Sequence, residues 1–360
     1  MRLPKFDYHK PGNIQEACSI LKGHNGNARV IAGGTDLLVA MKHRVKAPAH
    51  IISLKGIKGL DTINPSSSLS NKDSIPLSPP LSKGNSGEFS SGNDTLTIGS
   101  LVTLQSVADA DIIKKRFPIL SAAADSVASQ QIRNMGTIGG NICLDTRCWY
   151  YNQSKEWRDA RPPCFKTKGS VCYVIKGGNK CNALYASDTA PALIALNARV
   201  KICNSENTSK EIPIENFFTG VGEPVNILKQ DEIMTQITIP NNSSGGAETR
   251  GAFNKLCFRE GLEYPVINVA VLLELNKEKI CKNAKIVIGA VTSSPVRAKN
   301  AEEKLKGNKI DEALIAEAGK TASKDISVIP YLWASPGYKR KMIEVCVGRG
   351  IRKAVERIKD

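Results

Sequence analysis

The sequence predicts an α+β fold made of two or three packed lobes. The chain has 360 residues, 41% of them hydrophobic, which is enough to form more than one buried core. Segments with helical and strand periodicity follow one another, and two stretches rich in Ser, Pro, Gly and Asn interrupt them. The first stretch, 65–93, has too few large apolar residues to offset its ordering entropy, so we expect a mobile surface insertion. The second, 241–246, is the clearest linker and is expected to precede a C-terminal lobe.

The individual elements follow from the spacing of the apolar residues. The first helix begins after Pro11-Gly12, where a turn ends. The strand at 233–240 alternates Ile233, Ile237 and Ile239 with other residues and ends at a proline. Helices are predicted at 13–21, 36–42, 106–110, 118–129, 298–305, 310–323 and 337–358. Strands are predicted at 28–32, 95–98, 200–203, 233–240, 266–275 and 284–291.

The charge of the chain narrows its possible partners. Its formal net charge is +16, which would attract acidic partners by long-range steering. A nucleic-acid-binding protein is one alternative, but the basic residues are scattered, aromatic residues make up only 5%, and we find no helix-turn-helix, zinc-finger or RNA-binding signature. We therefore expect a solvated basic surface and no nucleic acid, with an acidic protein or a phosphorylated substrate as the remaining alternative.

The sequence also predicts in which cellular compartment the protein lies. It has no run of eighteen apolar residues, and Met1–Tyr8 leads directly into polar sequence without a charged and then apolar leader. We therefore expect a cytoplasmic protein that does not contact a membrane, with its ten cysteines reduced and available to metal. The four histidines, His9, His24, His43 and His50, lack the His-Glu-x-x-His spacing of a metalloprotease and are assigned no catalytic role.

Two glycine-rich segments are typical of phosphate-binding loops. Ile31–Leu37 places Gly33, Gly34 and Thr35 at a strand-to-helix turn, where backbone N–H groups can approach a phosphate closely. Ile132–Asn141 contains three further glycines. The first segment has neither the glycine spacing of a Rossmann fingerprint nor the ending of a P-loop, and an ordinary turn remains the alternative for it. Together the two loops could close around the two phosphates of a dinucleotide.

A group of cysteines follows the second glycine-rich segment. Four thiols fall within 34 residues at spacings of sixteen, eight and nine, namely Cys148, Cys164, Cys172 and Cys181. Structural zinc usually uses short Cys-x-x-Cys pairs, which are missing here, and disulfides are disfavoured in a reducing compartment. Four inert buried thiols so close together are improbable, whereas an iron–sulfur cube needs four thiolates and tolerates long, irregular loops. Zinc remains the main alternative.

The motifs taken together resemble a known family, the FAD-binding medium subunits of the molybdenum hydroxylases, which include xanthine and carbon monoxide dehydrogenases. The matching segments occur in the same order as in that family and cover nearly the whole chain. They are Ala32–Leu37, Ile98–Thr103, Ile132–Asn141, Ser187–Leu193, Gly289–Val291 and Pro295–Ala298.

The resemblance implies a fold and a flavin site. The fold would be a two-lobed FAD-binding domain of the PCMH (vanillyl-alcohol-oxidase-like) type, with lobes at 1–56 and 57–240, followed by a C-terminal α+β domain of the CO dehydrogenase flavoprotein type at 248–360. The family pattern implies FAD contacts from Val30, Ile31, Ala32, Gly33, Gly34, Thr35, Asp36, Leu37, Val127, Thr137, Ile138, Gly139, Gly140, Asn141, Asp188, Met234 and Lys255. Tyr264 is a further candidate near the isoalloxazine ring, although a core tyrosine is an equally good interpretation.

The cysteine segment departs from the common family pattern. In most members the second glycine loop leads almost directly into the Ser-Asp-x-x-Pro motif, whereas an insertion at 144–184 intervenes here. This insertion is similar to that of the 4-hydroxybenzoyl-CoA reductase β subunit, which carries an additional [4Fe–4S] cluster. The resemblance therefore implies that Cys148, Cys164, Cys172 and Cys181 each supply one ligand, while Cys143 packs near the flavin. Five aromatic residues would shield the cluster from solvent, namely Trp149, Tyr150, Tyr151, Trp157 and Phe165.

The family also implies partners. The chain lacks a molybdopterin domain and the plant-type set of [2Fe–2S] cysteines, so we expect an α2β2γ2-like complex with a large molybdopterin subunit and a small [2Fe–2S] subunit. An external ferredoxin-like donor is possible. Two alternatives remain: an NAD-reducing flavin subunit whose cysteines hold zinc or nothing, and a flavin-free basic assembly or nucleic-acid-binding protein.

Overall fold

A computed structural model describes residues 2–66, 75–76, 95–240, 248–259, 261–331 and 333–356. The predicted linker at 241–246 lies outside these residues, as does the predicted insertion at 65–93 except for 65–66 and 75–76. The helices are α1 (Ile14–Gly23), α2 (Leu37–Lys42), α3 (Leu104–Asp109), α4 (Asp111–Arg116), α5 (Pro118–Asp125), α6 (Gln130–Met135), α7 (Ile138–Ile142), α8 (Lys155–Asp159), α9 (Thr189–Ala195), α10 (Lys299–Leu305), α11 (Glu312–Asp325) and α12 (Pro336–Glu356). The strands are β1 (Asp7–His9), β2 (Ala28–Ile31), β3 (His50–Ser53), β4 (Thr62–Ser66), β5 (Ile75–Pro76), β6 (Thr95–Gly99), β7 (Arg199–Cys203), β8 (Ser209–Pro213), β9 (Ile233–Pro240), β10 (Glu248–Leu256), β11 (Ile267–Leu275), β12 (Cys281–Gly289) and β13 (Val296–Arg297).

The N-terminal lobe is a small parallel sheet. Its strands run in the order β1-β3-β2, and α1 connects the first two along the chain. Helix α1 begins at Asn13, whose side chain accepts a hydrogen bond from the Glu16 N–H at 2.9 Å. Ala17, Cys18 and Leu21 on one face of this helix are buried against the sheet. The sheet thereby presents the carboxyl end of β2 to the rest of the molecule.

The second lobe contains the largest sheet among the described residues. Six strands pair antiparallel in the order β5-β4-β6-β9-β7-β8. Helices α3, α5, α7 and α9 contribute to the core that covers this sheet, and Ile98, Leu120, Ile138, Leu193 and Ile237 are fully or almost fully buried there. The same core reaches Phe253 and Ala270, so the second lobe packs directly on the C-terminal sheet.

The C-terminal domain is a four-stranded antiparallel sheet covered by three helices. The strand order is β10-β11-β12-β13, with α10, α11 and α12 on the outer face. Strand β11 is buried along almost its whole length because helices cover it on both faces. Within the described residues, none of the helices combines the length and apolar character needed to cross a lipid bilayer.

The predicted α+β fold class is confirmed, and most of the predicted elements lie close to their predicted bounds. Besides β10, the elements that were not predicted are α4, α6, α7, α8, α9, β1, β3, β4, β5, β8 and β13. The helix predicted at 118–129 ends at Asp125, because the chain turns there and Ala128 adopts a φ of +48°. Strand β10 was not predicted: it contains Gly251 and charged residues, and nine consecutive pairings with β11 hold it.

Candidate functional site

A cavity of about 500 Å³ lies where the two lobes and the C-terminal domain meet. The loop after β2 forms one wall, and the segment around α7 forms the opposite wall. Tyr264 and its two preceding neighbours contribute from the C-terminal part of the chain. A cavity of this size, set between domains, is suited to a small ligand or cofactor.

The first glycine loop lies directly against the second. A Cβ atom on Gly33 would lie 1.8 Å from the Met135 carbonyl oxygen, and one on Gly136 would lie 3.4 Å from Thr35 Oγ1. Gly34 has a φ of +75°, which side chains rarely adopt. The two loops therefore approach each other backbone to backbone, and only glycine fits at Gly33.

The second loop is held by hydrogen bonds within the protein. The N–H groups of Ile138 and Gly139 donate to the carbonyl oxygens of Val102 and Ser100 at 2.9 and 3.0 Å. The Gly140 N–H donates to Thr137 Oγ1 at 3.1 Å, which caps α7. We expected free backbone donors here, and these three already have acceptors in the protein. Glycine at 139 is needed for close packing, because its Cβ would lie 2.6 Å from the Ser100 carbonyl oxygen.

Asn141 connects this loop to the Ser187–Thr189 motif. Its Oδ1 atom accepts hydrogen bonds from Ser187 Oγ at 2.6 Å and from Thr189 Oγ1 at 2.7 Å. Ser187 and Thr189 are buried, so these bonds are shielded from water. The motif therefore fixes the position of Asn141 at the cavity wall.

Arg147 is a cavity residue whose role was not predicted. Its guanidinium forms an ion pair with Asp36, donates to the Tyr264 hydroxyl and lies 4.8 Å from the centre of the Tyr264 ring. Burial raises the pKa of Asp36, and Arg147 opposes that effect. Arg147 thus joins the first loop, the insertion and the C-terminal domain at one point. No motif around Arg147 in the sequence indicated this role.

Asp188 lies at the cavity wall with both carboxylate oxygens already in use. Oδ2 lies 2.8 Å from Lys255 Nζ, and Oδ1 accepts a hydrogen bond from Asn268 Nδ2 at 2.8 Å. Burial raises the pKa of the Asp188 carboxyl, while Lys255 and Asn268 work against this shift. Lys255 therefore influences the cavity only indirectly, by holding the Asp188 carboxylate in place. Its Nζ atom also donates to the Ser126 carbonyl oxygen at 2.8 Å.

The structure brings most of the predicted flavin residues together. Those that line the cavity are Val30, Ile31, Ala32, Gly33, Gly34, Thr35, Asp36, Leu37, Val127, Thr137, Gly139, Gly140, Asn141, Asp188 and Met234. Ile138 and Lys255 are not among the lining residues. The Ile138 side chain is fully buried in the hydrophobic core, and the Lys255 ammonium forms an ion pair with Asp188. Cys143 lines this cavity, as do Ser100 and Arg147, which sequence reasoning missed.

A second, smaller cavity lies in the insertion. All four of the predicted ligands, Cys148, Cys164, Cys172 and Cys181, line it. The two cavities share a short stretch of chain, because Leu144 and Arg147 line the larger one and Cys148 lines the smaller. The backbone of Arg147 is fixed by hydrogen bonds to Leu184 in both directions, at 2.7 and 2.9 Å.

The thiols around the smaller cavity have different environments. Burial raises the pKa of Cys181 to about 11, partly opposed by Lys166, and burial also raises the pKa of Cys148. Burial also acts to raise the pKa of Cys172, but hydrogen bonds to its sulfur outweigh this effect and lower the pKa. They come from Asn182 Nδ2, 3.4 Å from the sulfur, and from backbone N–H groups. All ten cysteines are free, so the structure contains no disulfide among these thiols.

A buried lysine lies beside the smaller cavity. The Lys166 side chain is 2% exposed, and its Nζ atom lies 2.6 Å from Asp145 and 3.2 Å from Glu223. It also donates to Thr146 Oγ1 at 2.8 Å and to the Gly222 carbonyl oxygen at 3.2 Å. The pKa of Lys166 is raised, because its acidic partners outweigh burial. A permanent positive charge therefore stands next to the thiols.

The aromatic residues of the insertion divide into two groups. Tyr150, Tyr151 and Phe165 line the smaller cavity and cover it, as expected. Trp149 and Trp157 do not line it. Trp149 is 46% exposed and makes an edge contact with Trp333, with ring centres 6.2 Å apart, and the Trp157 ring centre lies 6.3 Å from that of Tyr150. The predicted shielding is thus provided by only part of the set.

Family comparison agrees with the two-domain architecture. The model of the FAD binding domain in molybdopterin dehydrogenase matches residues 4–69 and 87–242. The family model of the CO dehydrogenase flavoprotein C-terminal domain matches residues 252–354. The chain belongs to this family of FAD-binding oxidoreductase subunits, and the predicted family relationship is confirmed.

Individual relatives cover the whole chain at low identity. The glyceraldehyde dehydrogenase medium chain of Sulfolobus acidocaldarius is 25% identical over 97% of this chain and 98% of its own length. The nicotine 6-hydroxylase medium subunit of Paenarthrobacter nicotinovorans is 24% identical over 98% of this chain and 99% of its own. The structure of carbon monoxide dehydrogenase from Hydrogenophaga pseudoflava superposes with a TM-score of 0.74 at 24% identity, covering 99% of both chains, and shares the fold.

The larger cavity fits the FAD that the family implies. Two polar atoms at its wall, Ser100 Oγ and Arg147 Nε, are buried without a hydrogen-bond partner among the described residues. Buried polar atoms normally have partners, so a polar ligand would satisfy them. Gly33 and Gly34 line this cavity, and the lack of a side chain at Gly33 lets the first loop lie directly against the second.

Proposed function

We propose that this chain is the flavin- and [4Fe–4S]-carrying electron-transfer subunit of a molybdenum hydroxylase-type enzyme, most similar to 4-hydroxybenzoyl-CoA reductase. In this proposal Cys148, Cys164, Cys172 and Cys181 are the iron ligands. The single observation that carries it is that these four thiols, at spacings of sixteen, eight and nine residues, line one small cavity next to the cavity that fits FAD.

A single zinc ion and an iron–sulfur cube differ in how far apart they hold the sulfurs of their ligands. A tetrahedral zinc ion with Zn–S bonds of about 2.3 Å would hold its sulfurs about 3.8 Å apart. Within the described part of the chain, no three of these four sulfurs all lie within 4.8 Å of one another. A cube binds each cysteine to a different iron, so wider separation suits it better.

The chain would provide a short route for electrons. Arg147 and Cys148 are consecutive residues that line different cavities, so one peptide unit connects the wall of the larger cavity with the wall of the smaller one. The buried Lys166 ammonium, beside Cys181, would offset negative charge on the thiolates and so raise the reduction potential. When bound, FAD supplies a ring that accepts and releases one or two electrons.

The complete reaction would take place on a partner. Reductive dehydroxylation of an aromatic acyl-CoA replaces a C–O bond by C–H, consumes two electrons and two protons and releases water. Two one-electron donors of the ferredoxin class would supply the electrons, which would pass through this chain and a small [2Fe–2S] subunit to a large molybdopterin subunit. Several relatives are themselves named as medium chains or medium subunits, which supports a multi-subunit enzyme.

The proposal is tested on the complex purified without oxygen from its native cells. We expect native mass measurement to give a large and a small partner subunit, and a low-potential one-electron donor to reduce the flavin faster than NADH does. In a complex carrying Cys164→Ser, flavin content should be retained while reduction by the low-potential donor slows sharply. Rapid reduction by NADH, unchanged in Cys164→Ser, would instead indicate the NAD-linked alternative. A fully active monomer would contradict the proposed assembly.

A further inference from the structure

Three of the four histidines meet in the N-terminal lobe, away from both cavities. His9 ends β1, His50 begins β3, and His24 follows the last residue of α1. Each offers one ring nitrogen, and these three nitrogens all lie within 4.8 Å of one another. The three positions are far apart in sequence, so the fold itself brings the imidazoles together. From this arrangement we propose that His9, His24 and His50 form a binding site for a divalent transition-metal ion such as Zn²⁺.

The separation of the nitrogens suits a single ion. His9 Nε2 lies 3.2 Å from His50 Nδ1. Two imidazole nitrogens bound to tetrahedral zinc, with Zn–N bonds of about 2.0–2.1 Å, stand about 3.3 Å apart. The rings of His24 and His50 are stacked, with centres 3.6 Å apart and planes at 20°. Imidazole nitrogens bind a metal in the plane of the ring, so one of these two rings must rotate for both to face the same ion.

The backbone around the histidines holds them in place. The parallel ladder between β1 and β3 pairs His9 with Ile52. His50 donates its N–H to the Asn27 carbonyl oxygen at 3.2 Å, and the Asn27 N–H donates to the His24 carbonyl oxygen at 2.9 Å. All three side chains are partly buried, which leaves a path for an ion to enter. Sites on regular elements with fixed backbone are better organised for metal than sites on free loops.

The ligand chemistry defines the class of ion. Imidazole nitrogens favour Zn²⁺, Ni²⁺, Cu²⁺ and Fe²⁺ over the oxygen-seeking Mg²⁺ and Ca²⁺. Asp7 Oδ2 lies 3.4 Å from His50 Nδ1 and supplies negative charge beside the site. A bound ion would fasten β1 and the end of α1 to β3, and thereby stabilise the lobe whose β2 leads into the first glycine loop.

Cobalt is the most informative probe, because under the proposed function the cysteines of the insertion would also bind metal. Co²⁺ would be titrated into the anaerobic, cofactor-loaded protein. We expect one ion per chain to bind with visible absorption bands of nitrogen and oxygen ligation and without the near-ultraviolet bands of thiolate ligation. Zn²⁺ should displace it and raise the unfolding temperature.

The variants distinguish this site from incidental binding. His24→Gln and His9→Gln should each weaken Co²⁺ binding by at least about tenfold, since even indirect partners of a metal have effects of that size. His43→Gln is the matched control, because His43 is an exposed histidine of the same lobe outside the cluster, and it should bind as the unmodified protein does. Flavin content and circular dichroism would verify that each variant is folded. The absence of saturable binding, or equal binding by His24→Gln, His9→Gln and His43→Gln, would overturn the proposal.

Discussion

Lys255 Nζ lies 2.8 Å from Asp188 Oδ2 and so joins the first strand of the C-terminal domain to the start of α9. The two side chains are only 9% and 4% exposed. A buried carboxylate needs a partner of this kind, because burial disfavours its charged form. The pair connects the domain interface with the wall of the larger cavity, where Asp188 lies.

Removing the cation from this pair should destabilise the protein strongly. Lys255→Met leaves the Asp188 carboxylate buried without its cation, and we expect the free energy of unfolding to fall by about 3–5 kcal/mol. Urea unfolding at neutral pH measures this change. Lys304→Met, which breaks the exposed pair with Glu317, should lower the free energy of unfolding far less. Equal losses in the two variants would show that the buried pair contributes no more to the free energy of unfolding than the exposed pair does.

The close contact between the two glycine loops predicts that a side chain at position 33 will abolish flavin binding. Gly33→Ala places a Cβ atom 1.8 Å from the Met135 carbonyl oxygen, so the loops must separate and the purified protein should lack flavin. Gly23→Ala is the control, because no atom lies within 4 Å of the added methyl group. Flavin released by denaturation is measured against protein concentration. Full flavin occupancy in Gly33→Ala would contradict the loop contact described above.

Arg147 and Cys148 should have separable roles although they are neighbours. Arg147→Met removes a cavity-facing cation and should weaken FAD binding by about 1–3 kcal/mol, while iron content stays unchanged. The backbone bonds to Leu184 keep Cys148 in place in this variant. Cys148→Ser should show the reverse pattern, with iron lost and flavin kept. Iron and flavin are measured in the same preparations, and parallel loss of both from either variant would refute this separation.

The buried Lys339 predicts how stability depends on pH. Burial lowers the pKa of Lys339 from 10.5 to about 8, and its Nζ atom donates only to the Ala290 carbonyl oxygen at 3.1 Å among the hydrogen bonds described. Between these two values the unfolded chain keeps a proton that the folded chain has lost, so the free energy of unfolding rises with pH across this window. Below pH 8 the charged lysine costs the folded state about 3 kcal/mol.

Lys339→Met should remove this dependence and stabilise the protein at pH 7. The lost hydrogen bond costs about 1 kcal/mol, which is less than the gain from removing a buried charge. Urea unfolding at pH 7 and pH 10 measures both effects. Lys320→Met, at an exposed lysine of α11, should leave the pH profile unchanged. A variant at Lys339 that is less stable at pH 7 would show that the charge is well solvated in the folded state.

Much of the site could be predicted from sequence, because local composition determines it. The glycines at 33 and 34 indicate a close backbone approach by residue type alone, and the four cysteines that line the smaller cavity already lie within 34 residues of sequence. The strand at 233–240 has its predicted bounds, because alternation and a terminal proline define it locally. Such features need no knowledge of distant contacts.

The remainder depends on contacts between distant segments. Lys255 resembles an exposed lysine in sequence, yet strand pairing with β11 carries it to Asp188. Arg147 belongs to an insertion, and its link with Asp36 arises only when the lobes close. The convergence of His9, His24 and His50 likewise depends on the parallel pairing of β1 and β3. Periodicity and motif spacing contain no information about such long-range pairings.

The most direct test of the proposed function is the quantitation of iron, acid-labile sulfide and zinc in protein purified without oxygen. We predict about four irons and four sulfides per chain, beside one FAD. Cys148→Ser, Cys164→Ser, Cys172→Ser and Cys181→Ser should each lose the iron, whereas Cys143→Ala, whose residue lines the larger cavity, should keep it. One zinc per chain without sulfide, or iron that depends on Cys143 and not on Cys148, would contradict a cluster held by these four thiols.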